Sequence, residues 1–404
     1  MKKARKISPS DIPRVGCGTP AGEWFRRYWL VVGTTHELYD IPQAVKVLGE
    51  DLVLFRDQFG KLGLLGKHCP HRGTSLEYGD IEDGGLRCPY HGWLFNVQGQ
   101  CLEMPAEPKD SKFAEKVKHL SYPVKELGGL IFAYMGPDEP PPLPKYAPLV
   151  DRGSQWQIEP MRHADYNWFN FFENSADPAH VCILHRHAGY GQQSWGNQFF
   201  SYMEMPHFEF VEMDYGMKVV MTKPGPESGT EFVDEMSLAL PSIVQVGDTE
   251  FVHAKVDAAA LIKAGSQCEH WMFVTPNDDD HFMLFTADNY RGPEKKFFEK
   301  LKELRAKETP VQEVMPYDQR KFMPYKGNVR QEDLMTQGTQ GLLGERSEQL
   351  GVSDRGVIKF RKIVVDAIET ALNGGRPKGV VEKKRANELF RLDTQVGVRK
   401  RGAD

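Results

Sequence analysis

The 404-residue sequence predicts an α+β protein of two units, and three observations predict it. Between Val45 and Tyr134 the chain breaks into short apolar runs with a glycine every several residues, the texture of an all-β unit. Residues 136–149 read GPDEPPPLPKYAPL, where proline fixes φ and removes backbone donors, so neither a helix interior nor a central strand fits. Beyond this stretch, strand-like runs over 199–290 share the chain with helical patterns at 161–188, 294–308 and 354–373. The division that follows is an N-terminal segment, 1–44; a β-rich unit, 45–136; a stiff connector, 137–150; and a larger mixed unit, 151–404.

In order along the chain, Trp24, Phe25, Tyr28, Trp29 and Leu30 stand at helix-compatible spacing and predict a helix packed on the core. VKVLGEDLVLFRD reads as two strands around a Gly-Glu-Asp turn, and KLGLLGKHCPHRG, GLRCPYHGWLFNVQGQCLE and GGLIFAYMG continue the pattern. RHADYNWFNFFENSADPAHVCILHRH is rich in aromatic and metal-capable side chains and mostly helical in pattern, with Pro178 at a helix start or kink. WMFVTPNDDDHFMLFTA predicts a hairpin around Asn-Asp-Asp-Asp. Val357, Ile358, Phe360, Val364, Ile368 and Leu372 give the last helix one wide apolar face, and the charged tail after Gly374 belongs on the surface.

Composition narrows the class. Apolar residues at 40% and charged residues at 26% describe a globular chain. A net charge of -5 offers no electrostatic attraction for nucleic acid or an anionic membrane. No apolar run approaches the ~20 residues of a membrane span, and the basic MKKARKISPSD start leads into no apolar signal core. Six cysteines are too few for a disulfide scaffold, so a reducing cytoplasm is expected and the cysteines need another explanation.

Four of the potential metal ligands explain two of them. Cys69-Pro-His71 is followed after sixteen residues by Cys88-Pro-Tyr-His91. Each loop mixes one thiolate with one imidazole, the donor set of a two-iron cluster with two cysteines on one iron and two histidines on the other. Two ferric ions, two sulfides and two thiolates sum to zero charge, so the cluster accepts an electron more readily than a four-thiolate one. The competing assignment, a structural zinc site, more often pairs like residues in each loop.

A second constellation lies in ENSADPAHVCILH: Asn174, Asp177, His180 and His185. Two histidines and one carboxylate on one face of an iron leave positions open for O2. His185 lies five positions after His180, about 140° on a regular helix, so a helix irregularity or end must fall between them. His187 shares the helical face of His180 and competes with His185. Asp318, Glu332 and Asp333 are candidates for the carboxylate. Asp177, three before His180, is placed to accept the N–H that a metal-bound imidazole usually gives to a carboxylate.

With GTPAGEWFRRYWLV, TPNDDDHF and QEDLMTQG, the motifs CPHRG, CPYHGW and D-x2-H-x4-H resemble the large, catalytic α subunit of Rieske non-haem iron aromatic ring-hydroxylating oxygenases, in the phthalate-dioxygenase-like group. The resemblance implies a Rieske [2Fe–2S] domain holding its cluster through Cys69, His71, Cys88 and His91. It implies a catalytic domain whose large antiparallel sheet grips a helix, a helix-grip or START-like architecture. One mononuclear Fe(II) would be held by His180, His185 and Asp333, the last chosen because the family's carboxylate lies near the start of a C-terminal helix. Asp177 would be the catalytic bridge between the two centres across a subunit interface in a homotrimer. The chain would be an oxygenase component, using O2 and NAD(P)H-derived electrons to hydroxylate an aromatic substrate, with dioxygenation as the leading reaction. Monooxygenases and O- or N-demethylases share the scaffold. A Rieske electron carrier without oxygenase activity is the alternative of another class, and the ferrous constellation argues against it.

The chain shows no strand–GxGxxG–helix unit, so electrons are expected from a separate reductase, with or without a ferredoxin. DYGMKVVMTKPG carries Lys218 and Lys223 but no arginine to grip a carboxylate in two places. Phe171, Phe172, Val244, Trp271 and Phe285 are apolar candidates for the pocket wall, most of them expected to be plain core. Together these favour an apolar or single-acid aromatic.

Overall fold

The structure is a computed structural model that describes residues 6–151, 155–159, 161–185, 205–225, 227–247, 267–292, 299, 311–312, 329–392 and 394–402. His187, Asp318 and the helix expected at 294–308, Glu299 excepted, lie outside the described residues.

Thr19 starts the first helix, α1 (Pro20–Phe25), by accepting the Gly22 N–H on its hydroxyl. The helix is shorter than the aromatic spacing predicts. Tyr28 falls beyond it, and Trp29 and Leu30 open strand β1 (Trp29–Thr34), whose six residues are all buried. Pairing decides this: β1 runs antiparallel to β10 (Leu130–Tyr134), which also pairs with β9 (Val124–Leu127).

A second sheet joins β2 (Gln43–Val47), β3 (Glu50–Arg56) and β4 (Leu62–Gly66). Its first turn is Leu48-Gly49, not Gly-Glu-Asp; Glu50 and Asp51 already pair with Val47 and Lys46. Leu48 adopts φ 50°, rare for leucine, because its side chain is fully buried and its N–H donates to the Pro276 carbonyl at 2.9 Å. A third sheet, β5 (Asp80–Glu82), β6 (Gly85–Arg87), β7 (Leu94–Phe95) and β8 (Cys101–Glu103), carries the second Cys/His loop. Strand alternation divides the core here. Leu52, Leu54 and Leu64 face the main core, whereas Val53, Phe55 and Leu65 face a smaller one with Cys69, Cys88, Trp93, Phe95 and Cys101.

After a short helix, α2 (Phe113–Lys116), and the strands β9 and β10, the proline-rich connector ends in structure. Its last residues form β11 (Lys145–Tyr146), parallel to β21 (Leu389–Phe390), and α3 (Ala147–Val150). The buried Tyr146 ring contacts Phe132, Trp271 and Phe273.

The large sheet has ten strands. They are β12 (Gln155–Ile158), β13 (Arg162–Ala164), β14 (His207–Glu212), β15 (Gly216–Pro224), β16 (Thr230–Ala239), β17 (Ile243–Val246), β18 (Gln267–Pro276), β19 (Phe282–Arg291), β20 (Val311–Gln312) and β22 (Val396–Lys400). The path runs β14-β15-β16-β17-β18-β19-β13-β20, with β12 on β19 and β22 on β16; all pairs but β13–β20 are antiparallel. The expected hairpin is β18–β19, longer at both ends than the apolar run suggests.

The sheet grips the C-terminal helix, the last of the four helices α4 (Trp168–Asn174), α5 (Ala179–Leu184), α6 (Val329–Thr339) and α7 (Arg355–Leu372). From α7, Val357, Phe360, Ile363, Val364, Ala367 and Ile368 are buried, while Ile358 lies on the exposed side, off the predicted face. Phe360 packs against Phe169 and Phe172 of α4, with ring centroids 6.1 and 4.9 Å away. Phe360→Ala is expected to destabilise the chain by about 3–5 kcal/mol through the cavity it leaves. Urea unfolding checks this, and a change below about 1 kcal/mol would show that the helix carries little of the core.

Candidate metal centres

The two Cys/His loops share one backbone design. Gly73 N–H donates to the Cys69 carbonyl at 2.8 Å and Gly92 N–H to the Cys88 carbonyl at 3.0 Å. Gly73 and Gly92 take φ of 77° and 73°, the left-handed turn that closes each loop and that a side chain resists. Cys69 and Cys88 are buried at the head of the small core. Burial pushes the Cys69 thiol up to about 11; the backbone N–H groups of His71 and Arg72 pull it down, and neighbouring Cys88 adds to the rise. His71 is exposed and stacks on Trp93 at 4.5 Å, and its ring lies 4.6 Å from His91. Adjacent sulfurs below, two imidazoles at the surface and amides aimed at sulfur suit a two-iron cluster. They do not suit one zinc ion, because no three of these four residues offer ligand atoms within 4.8 Å of one another.

The second centre is compact. His180, His185 and Asp333 place their ligand atoms within 4.8 Å of one another, the one such group among the described residues. His180 Nε2 lies 3.7 Å and His185 Nε2 3.4 Å from Asp333 Oδ1. The five-residue spacing is resolved by a helix end: α5 stops at Leu184, and His185 is its C-cap with φ -84° and ψ 6°. Asn174 adds its amide, with Nδ2 3.2 Å from both His180 Nε2 and Asp333 Oδ1. Glu332 takes a different place: its Oε2 is 2.9 Å from His185 Nδ1, on the far side of the ring from Asp333. Burial pulls the pKa of His185 down, but Asp333 and Glu332 outweigh it and leave the value raised.

Asp177 departs from one expectation. The partner of His180 Nδ1 is the main-chain carbonyl of Asp177, not its carboxylate. Asp177 precedes α5, so its carboxylate instead accepts the Ala179 N–H at 3.1 Å, capping the first turn. Burial raises the pKa of this half-buried carboxyl, and His180 and the Ala179 N–H oppose the shift.

The ligand-bearing helices are tied together by buried polar contacts. Asn170 Nδ2 donates to the carbonyls of Gln337 and Gly341 at 3.0 Å each, and Tyr166 Oη donates to Gln337 Oε1 at 2.7 Å, joining α4 to α6. Glu173, between Asn170 and Asn174, binds Arg346 and Arg361, and Glu348 binds both arginines too.

Register divides the sheet's faces. Phe282 contacts Tyr166 and Phe171, so its face of β18–β19 looks toward the iron-site helices. That face also carries Val244, Met272, Thr286 and the buried pair His270–Asp288, whose Nδ1 and Oδ1 are 2.5 Å apart. Gln157 Nε2 donates to Asp288 at 2.9 Å, and Arg162 stands opposite Leu284. Trp271 and Phe285 belong to the other face, toward Tyr146, and Phe172 turns to Phe360, so these three are core. Lys218 sits on that other face too, paired with Glu235 at 3.2 Å. The sequence reading passed over Arg162 and His270; strand alternation relative to Phe282 is the signal that finds them.

The two Cys/His loops suit an iron–sulfur cluster, and the compact His180, His185 and Asp333 group suits a second, mononuclear metal. A profile of the Rieske [2Fe-2S] domain matches residues 28–125. The α subunit of phenoxybenzoate dioxygenase from Ectopseudomonas oleovorans is 36% identical over 387 residues, covering 92% of this chain and 87% of that protein. The oxygenase subunit of 5,5'-dehydrodivanillate O-demethylase from Sphingobium sp. (strain NBRC 103272 / SYK-6) is 31% identical, covering 95% of this chain and 85% of that one. Among solved structures, dicamba monooxygenase bound to 3,6-dichlorosalicylic acid superposes with TM-score 0.63 at 19% identity, covering 87% of this chain and 99% of that one. The chain belongs to the Rieske non-haem iron oxygenases and is an oxygenase component of that family. No helix among the described residues is long and apolar enough to cross a membrane.

Proposed function

We propose that this chain inserts oxygen from O2 into an aromatic substrate that carries a single acid group. In this reading His180, His185 and Asp333 hold the mononuclear iron, and Cys69, His71, Cys88 and His91 hold the [2Fe–2S] cluster. The observation that carries the oxygenase reading is the convergence of His180, His185 and Asp333 within 4.8 Å. When bound, the iron supplies O2 activation and the cluster supplies electrons. The chain's own groups do the rest. Asp177 and Glu332 fix the two histidines with Nε2 turned inward, Asn174 holds Asp333, and Phe171, backed by the buried Phe282, offers an apolar wall nearby. The phenoxybenzoate relative, whose named substrate is an aromatic acid, supports the substrate class. O-Demethylation is the second reading, favoured by the dehydrodivanillate relative.

The same proposal includes a cytoplasmic homotrimer supplied with NAD(P)H electrons by a reductase, with or without a ferredoxin. It also includes the division at 44, 136 and 150, with a cluster unit and a catalytic unit on either side of the connector.

The test is a metal count followed by labelled turnover. Three irons and two acid-labile sulfides per chain are expected, and two irons would leave only an electron carrier. With a reductase and NADH under 18O2, benzoate, phenoxybenzoate and methoxybenzoate distinguish the reactions. Two labelled oxygens on one ring product mean dioxygenation, and formaldehyde means demethylation. Oxidation of none of the three acids would refute the substrate class.

A further inference from the structure

The two histidines of the triad are held in different ways. His180 gives its Nδ1–H to a neutral acceptor, the main-chain carbonyl of Asp177. His185 gives its Nδ1–H to a carboxylate, Glu332 Oε2, at 2.9 Å. Both members of this second pair are buried, Glu332 at 1% and His185 at 4% relative exposure. Glu332 and Asp333 are consecutive on α6 and meet opposite nitrogens of one ring, since Asp333 Oδ1 lies 3.4 Å from His185 Nε2.

A peptide carbonyl is enough to fix a tautomer, as His180 shows. A carboxylate adds something beyond orientation, because its charge polarises the ring whose N–H it accepts. A carboxylate behind an imidazole also strengthens that imidazole as a donor.

We propose that Glu332 is a positioning residue for the mononuclear iron. It locks His185 with Nε2 inward and makes it the stronger of the two nitrogen donors, without coordinating. The inference rests on the reading of His180, His185 and Asp333 as iron ligands.

Glu332→Gln keeps the acceptor and nearly the volume but removes the charge; Glu332→Ala removes both. Ferrous affinity is measured on the full chain, cluster in place, by competition with a chromophoric chelator. The glutamine variant is expected to bind iron roughly 10- to 100-fold more weakly, the usual cost of losing such a partner, and the alanine variant more weakly still. The cluster spectrum should be unchanged, and the ferric/ferrous potential of the mononuclear site should rise in the glutamine variant. A merely structural role would not move that potential in a set direction. Wild-type affinity and potential in both variants would overturn the proposal. Asp333→Ala separates the two claims. If it keeps its iron, the ligand reading falls; if it loses iron while Glu332→Gln binds normally, only the role of Glu332 falls. Should the glutamine variant fail to fold, Glu332→Asp, which keeps the charge, is expected to bind iron more tightly than Glu332→Ala, and equal affinities would overturn the proposal.

Discussion

Replacing His180 with alanine is expected to strip the mononuclear iron and reduce turnover to background while leaving the cluster's visible spectrum intact. In the proposed site the ring offers Nε2 to a set of three donors among the described residues, whose ligand atoms lie within 4.8 Å of one another. Two remaining donors hold iron poorly against chelators and water. The cluster loops stand on a separate small core, so nothing in the change reaches Cys69 or Cys88. Mixed oligomers extend the experiment. A Cys69→Ser subunit lacks the cluster and a His180→Ala subunit lacks the iron. If electrons cross between subunits, co-folded mixtures of the two regain activity that neither shows alone. A functional monomer in sizing experiments, or mixtures as inactive as their components, would refute the homotrimer proposal.

Asp177→Asn should retain both metals yet lower turnover by roughly 10- to 100-fold, the range for partners just outside a metal's ligands. The substitution is informative because asparagine can still accept the Ala179 N–H and so keep the start of α5. The main-chain carbonyl that holds His180 is untouched as well. What disappears is the charge of a carboxyl whose own chain already gives His180 a different acceptor. In the proposed bridge to a neighbouring cluster this carboxylate, one oxygen of which accepts the Ala179 N–H, would carry the link. Single-turnover mixing is the direct measurement: the mononuclear site of the variant should be reduced slowly by a pre-reduced cluster. Normal turnover with unchanged electron transfer would show that Asp177 only caps a helix.

Much of this was legible in the chain because the chemistry is local. The cluster ligands sit in two short loops, and each loop's glycine, Gly73 or Gly92, follows from the turn it must make. His180 and His185 are legible as a pair, and so is the need for a helix irregularity or end between them, of which the structure takes the end. The choice between Glu332 and Asp333 is of another kind. Adjacent residues on a helix point about 100° apart, so packing alone decides which faces the metal. The same holds for the sheet: alternation marks two faces but not which one meets the helices, so Trp271 and Phe285 looked as eligible for the pocket as Val244. Trp29 and Leu30 read as helix because their strand partner, Tyr134 and its neighbours, lies a hundred residues away in sequence.

The division of strand β3 between two cores has a practical meaning for protein engineering. The chain leaves the second sheet at Gly66 and returns beside it, where the Gly66 N–H meets the Leu120 carbonyl at 2.9 Å and Leu65 bridges Ser121. Everything between forms a loop-out with its ends in contact, carrying all four cysteine and histidine residues of the motif. A redox module from a relative is expected to graft at these two points, with Val53, Phe55 and Leu65 as the matching seat, whereas a junction in the proline-rich connector would part β1 and β10 from the larger core they share with the catalytic sheet.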